Sequence, residues 1–248
     1  MFAKLILKLK NNEQFGFEIS SLLQGVLMES IAEDYAEQLH ESALNMYSQH
    51  FERRESDSYW CICTMTKDAK EQIIEKLRGI DTVALKYKET ELPVIGRSYE
   101  ETAYSSFLES TYFGNCPRKI KLDFITPASF KVDGKYQFYP TVEHIFKSLI
   151  SKHDALDGRT EIYSDDFIKQ VNENVHITSY RLRSVSFPLE GVKIPGFMGS
   201  ITITVSGPQQ FVNLVNMLCL FGEYSGIGIK TGIGMGAVKV QQIHRKEK

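Results

Sequence analysis

Cysteine is scarce in this chain and its spacing does not suggest bridging. Only Cys61, Cys63, Cys116 and Cys219 occur. The first pair stands two apart in "SYWCICTM", where a strand presents both thiols on one face and neighbours bridge poorly. No second Cys/His pair completes a zinc set. Free thiols in a reducing compartment are expected, with no metal or cofactor. Long apolar runs are also missing: none reaches the roughly 18 residues that a membrane-spanning helix needs. The opening "MFAKLILKLKNNEQ" alternates apolar residues with lysines and has no signal-peptide cleavage site. It reads as the first strand of a cytoplasmic protein with no membrane association. A large charge of either sign is absent too, the net being −2. That total hides an asymmetry. Residues 1–116 hold 12 Lys and Arg against 19 Asp and Glu, net −7, and residues 117–248 hold 17 against 12, net +5. A basic second half suits a polyanion.

The patterns that are present repeat. Phe2 to Leu9 reads as a strand. A helical stretch from Phe17 to His40 follows, broken near Ser30–Glu33 where the apolar pattern restarts. Asn45–Arg53 and Ser58–Met65 read as a strand pair, Thr66 caps a helix that Gly79 stops, and a strand over Asp81–Lys88 closes the unit. The second half repeats the order with "KIKLDFIT", a helix opened by Pro140, the long strands "VHITSYRLRSVSF" and "GFMGSITITVS", a helix from Pro208 to Gly222, and "AVKVQQI". Two successive β-α-β-β-α-β units make an α+β protein of two tandem ferredoxin-like domains, 1–116 and 117–248, joined at "GNCPRK".

Between the last helix and the last strand lies "GEYSGIGIKTGIGMGAVKV". Gly226, Gly228, Gly232, Gly234 and Gly236 crowd around Lys230-Thr231. Bare amides suit phosphate. A P-loop and a dinucleotide fingerprint both need a strand before and a helix after, and here the order is reversed. The alternative is that the glycines let two domains pack closely.

The segment "FGEYSGIGIKTGIGMGAVKV", with "GFMGSITI", "LDFITPASF" and the paired ferredoxin-like halves, resembles the CRISPR-associated endoribonucleases that process precursor guide RNA. Thr126, Pro127 and Phe130 add a second resemblance, and together these features span essentially the whole chain. The resemblance implies metal-independent cleavage of repeat RNA, leaving a short repeat-derived 5′ handle. Such RNA is recognised through shape, backbone and splayed bases. The five glycines would let amides approach the strand, and Lys230 would add a point charge. Arg181 and Arg183, two apart on one strand face, could bracket phosphates, as could Arg118 and Lys119 at the seam.

RNA carries its own nucleophile. The 2′-oxygen attacks the adjacent phosphorus in line with the departing 5′-oxygen, giving a 2′,3′-cyclic phosphate and a 5′-hydroxyl. A protein helps by aligning, moving protons and stabilising charge. Histidine suits the proton work, with an ordinary pKa of about 6.5. His40 is the candidate: it ends the helical "AEDYAEQLH", and in the resembled family the catalytic histidine follows the first helical region. His50, His144, His153, His176 and His244 read as surface or half-buried side chains. Some relatives add a tyrosine on the first helix, where this chain has Met28, and a lysine soon after the histidine, where none occurs before Lys67. Tyr47, the second catalytic candidate, could equally be a core aromatic; Ser42, Arg53 and Arg54 are the other nearby groups. Without a compensating cation, turnover should be slow. The rival reading is a non-catalytic RNA-binding subunit of a CRISPR complex; a metabolic or regulatory double domain has no motif in its favour. Expected partners are CRISPR repeat RNA and a CRISPR effector complex, with the protein as monomer or homodimer.

Overall fold

A computed structural model describes residues 1–42, 44–156 and 161–244. The first lobe runs β1 (Phe2–Leu9), α1 (Ser20–Ser30), α2 (Glu33–Glu41), β2 (Tyr47–Arg54), β3 (Asp57–Thr64), the helical residues 67–77 as α3, β4 (Thr82–Leu85), β5 (Thr90–Thr102) and α4 (Tyr104–Thr111). The second runs β6 (Lys119–Ala128), β7 (Phe130–Val132), β8 (Lys135–Gln137), α5 (Val142–Asp154), α6 (Asp165–Asn174), β9 (Val175–Leu189), β10 (Val192–Val205), α7 (Gln209–Ser225) and β11 (Val238–Ile243). Among the described residues no helix is long and apolar enough to cross a membrane.

Strand order in the first sheet is β2-β3-β1-β5-β4, and in the second β11-β6-β10-β9. With β4 set aside as an edge hairpin, both are the antiparallel order of a ferredoxin-like unit. Two tandem units of that class are present, as the repeated pattern implies. The strand closing the first sheet is β5, which pairs along β1, not residues 81–88. Those residues supply β4, which turns at Glu89 (φ 48°) into β5. The reason lies in β5 itself: it alternates exposed and half-buried positions and carries Pro93 and Gly96, so its apolar signal is weak. Helices α4 and α6 and the β7–β8 hairpin are further elements beyond the two repeats.

Period-two burial builds each core. Leu5 and Leu7 of β1 face Trp60, Ile62 and Phe51 under α1, while Ile120, Leu122, Ile201 and Ile203 lie beneath Phe146, Leu149 and Phe221. Thr66 caps α3 by accepting from the Ala69 amide. Helix α7 passes through Gly222 and ends at Ser225, against the expected stop. A Cβ at Gly222 would lie 3.1 Å from Leu149, so this glycine serves helix contact and Gly226, at φ 65°, serves as the cap. The connection near "GNCPRK" is pinned to α7, where Asn213 donates to the carbonyls of Tyr112 and Gly114 and Asn216 to that of Pro117.

Candidate nucleic-acid interface

The glycine segment is the joint between the lobes. All five of its candidate glycines are buried. Gly228, at φ +93°, would put a Cβ 2.3 Å from the Ser129 carbonyl, and Gly234, at φ +110°, one 2.1 Å from the Ser20 Cβ. Only hydrogen fits at either place. The amides of Gly226, Gly228, Gly234 and Gly236 donate inside the protein, to Gly222, Ser148 Oγ, Thr231 and Pro127. That corrects the expectation of naked amides lying against a ribose-phosphate chain. The glycines serve close packing, and the surface of the loop is at Ile229 and Lys230.

Gln49 of β2 completes the joint. Its Nε2 donates to the carbonyls of Ser20 (2.9 Å) and Gly232 (3.1 Å), and its Oε1 accepts from Trp60 Nε1 (2.9 Å). Ser48 Oγ reaches the Tyr224 carbonyl, and Lys239 of β11 pairs with Glu52 of β2 at 2.8 Å.

A cleft of about 710 Å³ opens between the lobes above this joint. His40 stands on one wall, exposed in the last turn of α2, beside Ser42, Gln24 and Met28. The same cleft is lined by Gly228 to Ile233 of the loop, Phe130 and Lys131 of β7, and His144, Lys147 and Ser148 of α5. The arrangement joins an accessible imidazole to a wall of cations and hydroxyls, which suits a phosphodiester and proton transfer.

The other candidates lie elsewhere. Tyr47 is 0% exposed, its ring directly under Gly232, where a Cβ would lie 3.0 Å from the phenol oxygen. Burial pushes its pKa up to about 12. Its hydroxyl lacks a partner at hydrogen-bonding geometry, although nearby Gln24 offsets part of that burial. A sealed, un-ionised phenol does not reach the cleft, so Tyr47 supports the loop and is not a catalytic group. Arg53 donates to the Gln14 carbonyl, and Arg54 is held by Glu52 and lies over Tyr59. Arg118 is committed to the carbonyls of Val205 and Gly207. Lys119, Arg181 and Arg183 are exposed on the sheet face turned away from the second core, where register aligns Lys239, Asp123, Ser200 and Arg181 in one row.

One group of metal-ligand atoms exists among the described residues: His50, Glu52 and Cys61 have donors within 4.8 Å of one another. Both Arg54 and Lys239 already hold that carboxylate. Two resident cations leave no room for a third, so the donor set does not fit a metal.

Comparison with known proteins identifies the family and the fold. The family described as CRISPR-associated endoribonuclease Cas6 matches residues 122–238. A Cas6 endoribonuclease of Mycobacterium tuberculosis is 36% identical over 230 residues, covering 91% of this chain and 73% of that one. The chain belongs to the Cas6 family of CRISPR-associated endoribonucleases. A Cas6 endoribonuclease of Streptococcus thermophilus is 29% identical over 245 residues, covering 96% of this chain and 98% of that one. The Cas6 fold is matched in a solved Cas6 product complex with TM-score 0.79 at 17% identity, covering 97% and 100% of the two chains. A protein described as a RAMP protein binding different RNA substrates gives TM-score 0.62 at 14% identity, covering 97% and 99%.

Gln49, Ser148, Lys131 and Lys152 are site residues that the sequence alone does not single out. Gln49 sits in "YSQHF" at an inward position of β2, and a lone amide among apolar inward residues was the available signal. Ser148 and Lys152 stand four apart on α5, a spacing that puts both on one helix face.

Proposed function

We propose that this chain cuts CRISPR repeat RNA in the inter-lobe cleft, using the RNA's own 2′-hydroxyl as nucleophile and no metal ion. The observation that carries the reading is one shared cleft, lined both by His40 of the first lobe and by residues 228–233 of the second. The RNA backbone lies along the loop surface at Lys230, with Lys131 and Lys147 as further phosphate partners. His40 gives a proton to the departing 5′-oxygen or, when neutral, takes one from the 2′-hydroxyl; aligned proton transfer of this kind contributes about 10²–10⁴-fold. The products are a 2′,3′-cyclic phosphate and a 5′-hydroxyl. Lys119, Arg181 and Arg183, on the open sheet face, extend contact to flanking RNA.

The test uses the repeat transcript in EDTA, with a second transcript carrying one 2′-deoxy at the cut site. Cleavage of the first and none of the second is expected, with a cyclic phosphate on the upstream fragment. Cleavage of the deoxy substrate, or activity abolished by EDTA and restored by a divalent ion, would overturn the chemistry. Tight binding with no cleavage of either would instead support the non-catalytic subunit.

A further inference from the structure

Lys152 is an unusual lysine. It is 6% exposed, in the last turn of α5. Its Nζ donates to the carbonyls of Ser225 (3.2 Å), Gly226 (3.0 Å) and Gly228 (3.0 Å) and to Thr231 Oγ1 (3.4 Å). One turn earlier on the same helix, Ser148 Oγ accepts from the Gly228 amide at 2.7 Å. Helix α5 thus grips both polar groups of Gly228, at the point where the loop enters the cleft. Both gripping residues also line that cleft.

The oxygens call for an ammonium. A neutral amine has two N–H donors and a lone pair that would face carbonyl oxygen, whereas –NH₃⁺ has three donors and no acceptor. Burial opposes that charge and pushes the pKa down to about 7. No carboxylate among the described residues pairs with it, so the charge is met by dipoles alone. An unpaired buried cation is costly, and it is tolerable where a mobile anion arrives to complete it.

We propose that Lys152 is a positioning residue of the RNA site: its ammonium ties residues 225–231 to helix α5 and places under the cleft a positive charge whose counter-ion is a phosphate of bound RNA. This rests on the proposed RNA-cleaving function, but it concerns binding and assigns Lys152 no proton transfer. His40 stays the only group moving protons.

The neighbours matter for the test. On its own helix are His144, Lys147 and His153; the loop contributes Lys230 and α7 contributes Glu223, whose carboxylate accepts from the Val240 amide. The remaining cleft walls carry His40, Lys131 and Glu190. Ordinary histidines and carboxylates titrate below pH 7.5, and ordinary lysines above pH 9.5. A lysine lowered to about 7 has already lost most of its proton in free protein between pH 7.5 and 9.5. Below about pH 7 the ammonium is already present. Within that window RNA binding must return the proton at ever lower proton activity, so the dissociation constant rises with pH.

The experiment measures the affinity of the full chain for 2′-deoxy repeat RNA at constant salt from pH 7.5 to 9.5. The dissociation constant should rise about tenfold or more, as one linked proton requires, whereas Lys152→Arg, which does not titrate, stays level. Lys152→Met should weaken binding by about tenfold while single-turnover cleavage at saturating enzyme stays within about threefold, the signature of weakened binding and not of impaired chemistry. A level wild-type profile would overturn the inference, and so would unchanged affinity in Lys152→Met. A fall in the saturated rate at intact affinity would place Lys152 in the chemistry instead. If Lys152→Met does not fold, the wild-type profile decides alone. Failure of the unaltered protein to bind repeat RNA at all would remove the functional reading itself, a result distinct from binding that ignores pH.

Discussion

His50 follows Gln49 on β2, and its Nε2 is sealed from water without a partner, although the residue as a whole is only half-buried. Burial holds its pKa down to about 4, with Glu52 working against that and Lys239, Lys4 and Arg54 working with it. In the unfolded chain the imidazole takes its proton near pH 6.5. Between about pH 6.5 and 4 the unfolded state therefore binds more protons, and stability falls as pH falls. The melting temperature should drop across that range, and His50→Gln should flatten the drop. Gly234 is a second residue-scale case. Because a Cβ there would lie 2.1 Å from that of Ser20 in a backbone at φ +110°, Gly234→Ala should cost about 2–4 kcal/mol, read as a lower urea midpoint. At this scale the proposed role of His40 rested on the family resemblance, and its position in the last turn of a helix was legible from the helical pattern. Tyr47 was not: a phenol opening a strand looks the same in sequence whether it faces a cleft or a core. Only the register of β2 on β3, which turns Tyr47 inward with Thr64, decides it.

Among elements, the loop between α7 and β11 is where expectation and structure part most usefully. A glycine-dense segment announces close approach, but not of what. Here the approaching backbones belong to the protein, at Ser129 and at Ile227, and only the turn around Lys230 is left for a ligand. Gln49 holds that turn from below. Gln49→Leu would strand Trp60 Nε1 and the carbonyls of Ser20 and Gly232, three buried polar groups costing about 1–3 kcal/mol each at most. The chain has a single tryptophan, so its emission reports the change directly. Lower stability, a shifted Trp60 spectrum and weaker RNA binding should appear together; a spectrum and midpoint like the wild type's would contradict this account of the joint. Elements with strong period-two or helical signals were legible. The β5 strand and the β7–β8 hairpin were not, because neither buries a full apolar face and tertiary pairing decides them.

For the whole molecule, the repeated order of elements was enough to give two ferredoxin-like units. Their relative placement was not legible, since it depends on contacts such as Lys239–Glu52 and Ser48–Tyr224 that join residues far apart in the chain. The charge asymmetry of the two halves acquires a location: Lys119, Arg181 and Arg183 share one open sheet face. If flanking RNA crosses that face, replacing Arg181 and Arg183 with alanine should lower the slope of log affinity against log salt by about 0.7 for each phosphate that is no longer neutralised. Cleavage at saturating enzyme should be unaffected, because neither side chain lines the cleft.

The central claim is that the imidazole sharing the cleft with the loop performs the proton transfer. Its most direct test is single-turnover cleavage of repeat RNA by His40→Ala, with affinity for the uncleavable 2′-deoxy transcript measured on the same preparation. A fall in rate of about 10²-fold or more with affinity held within a few-fold is the predicted result. Cleavage at the wild-type rate would contradict it and move the chemistry to another group.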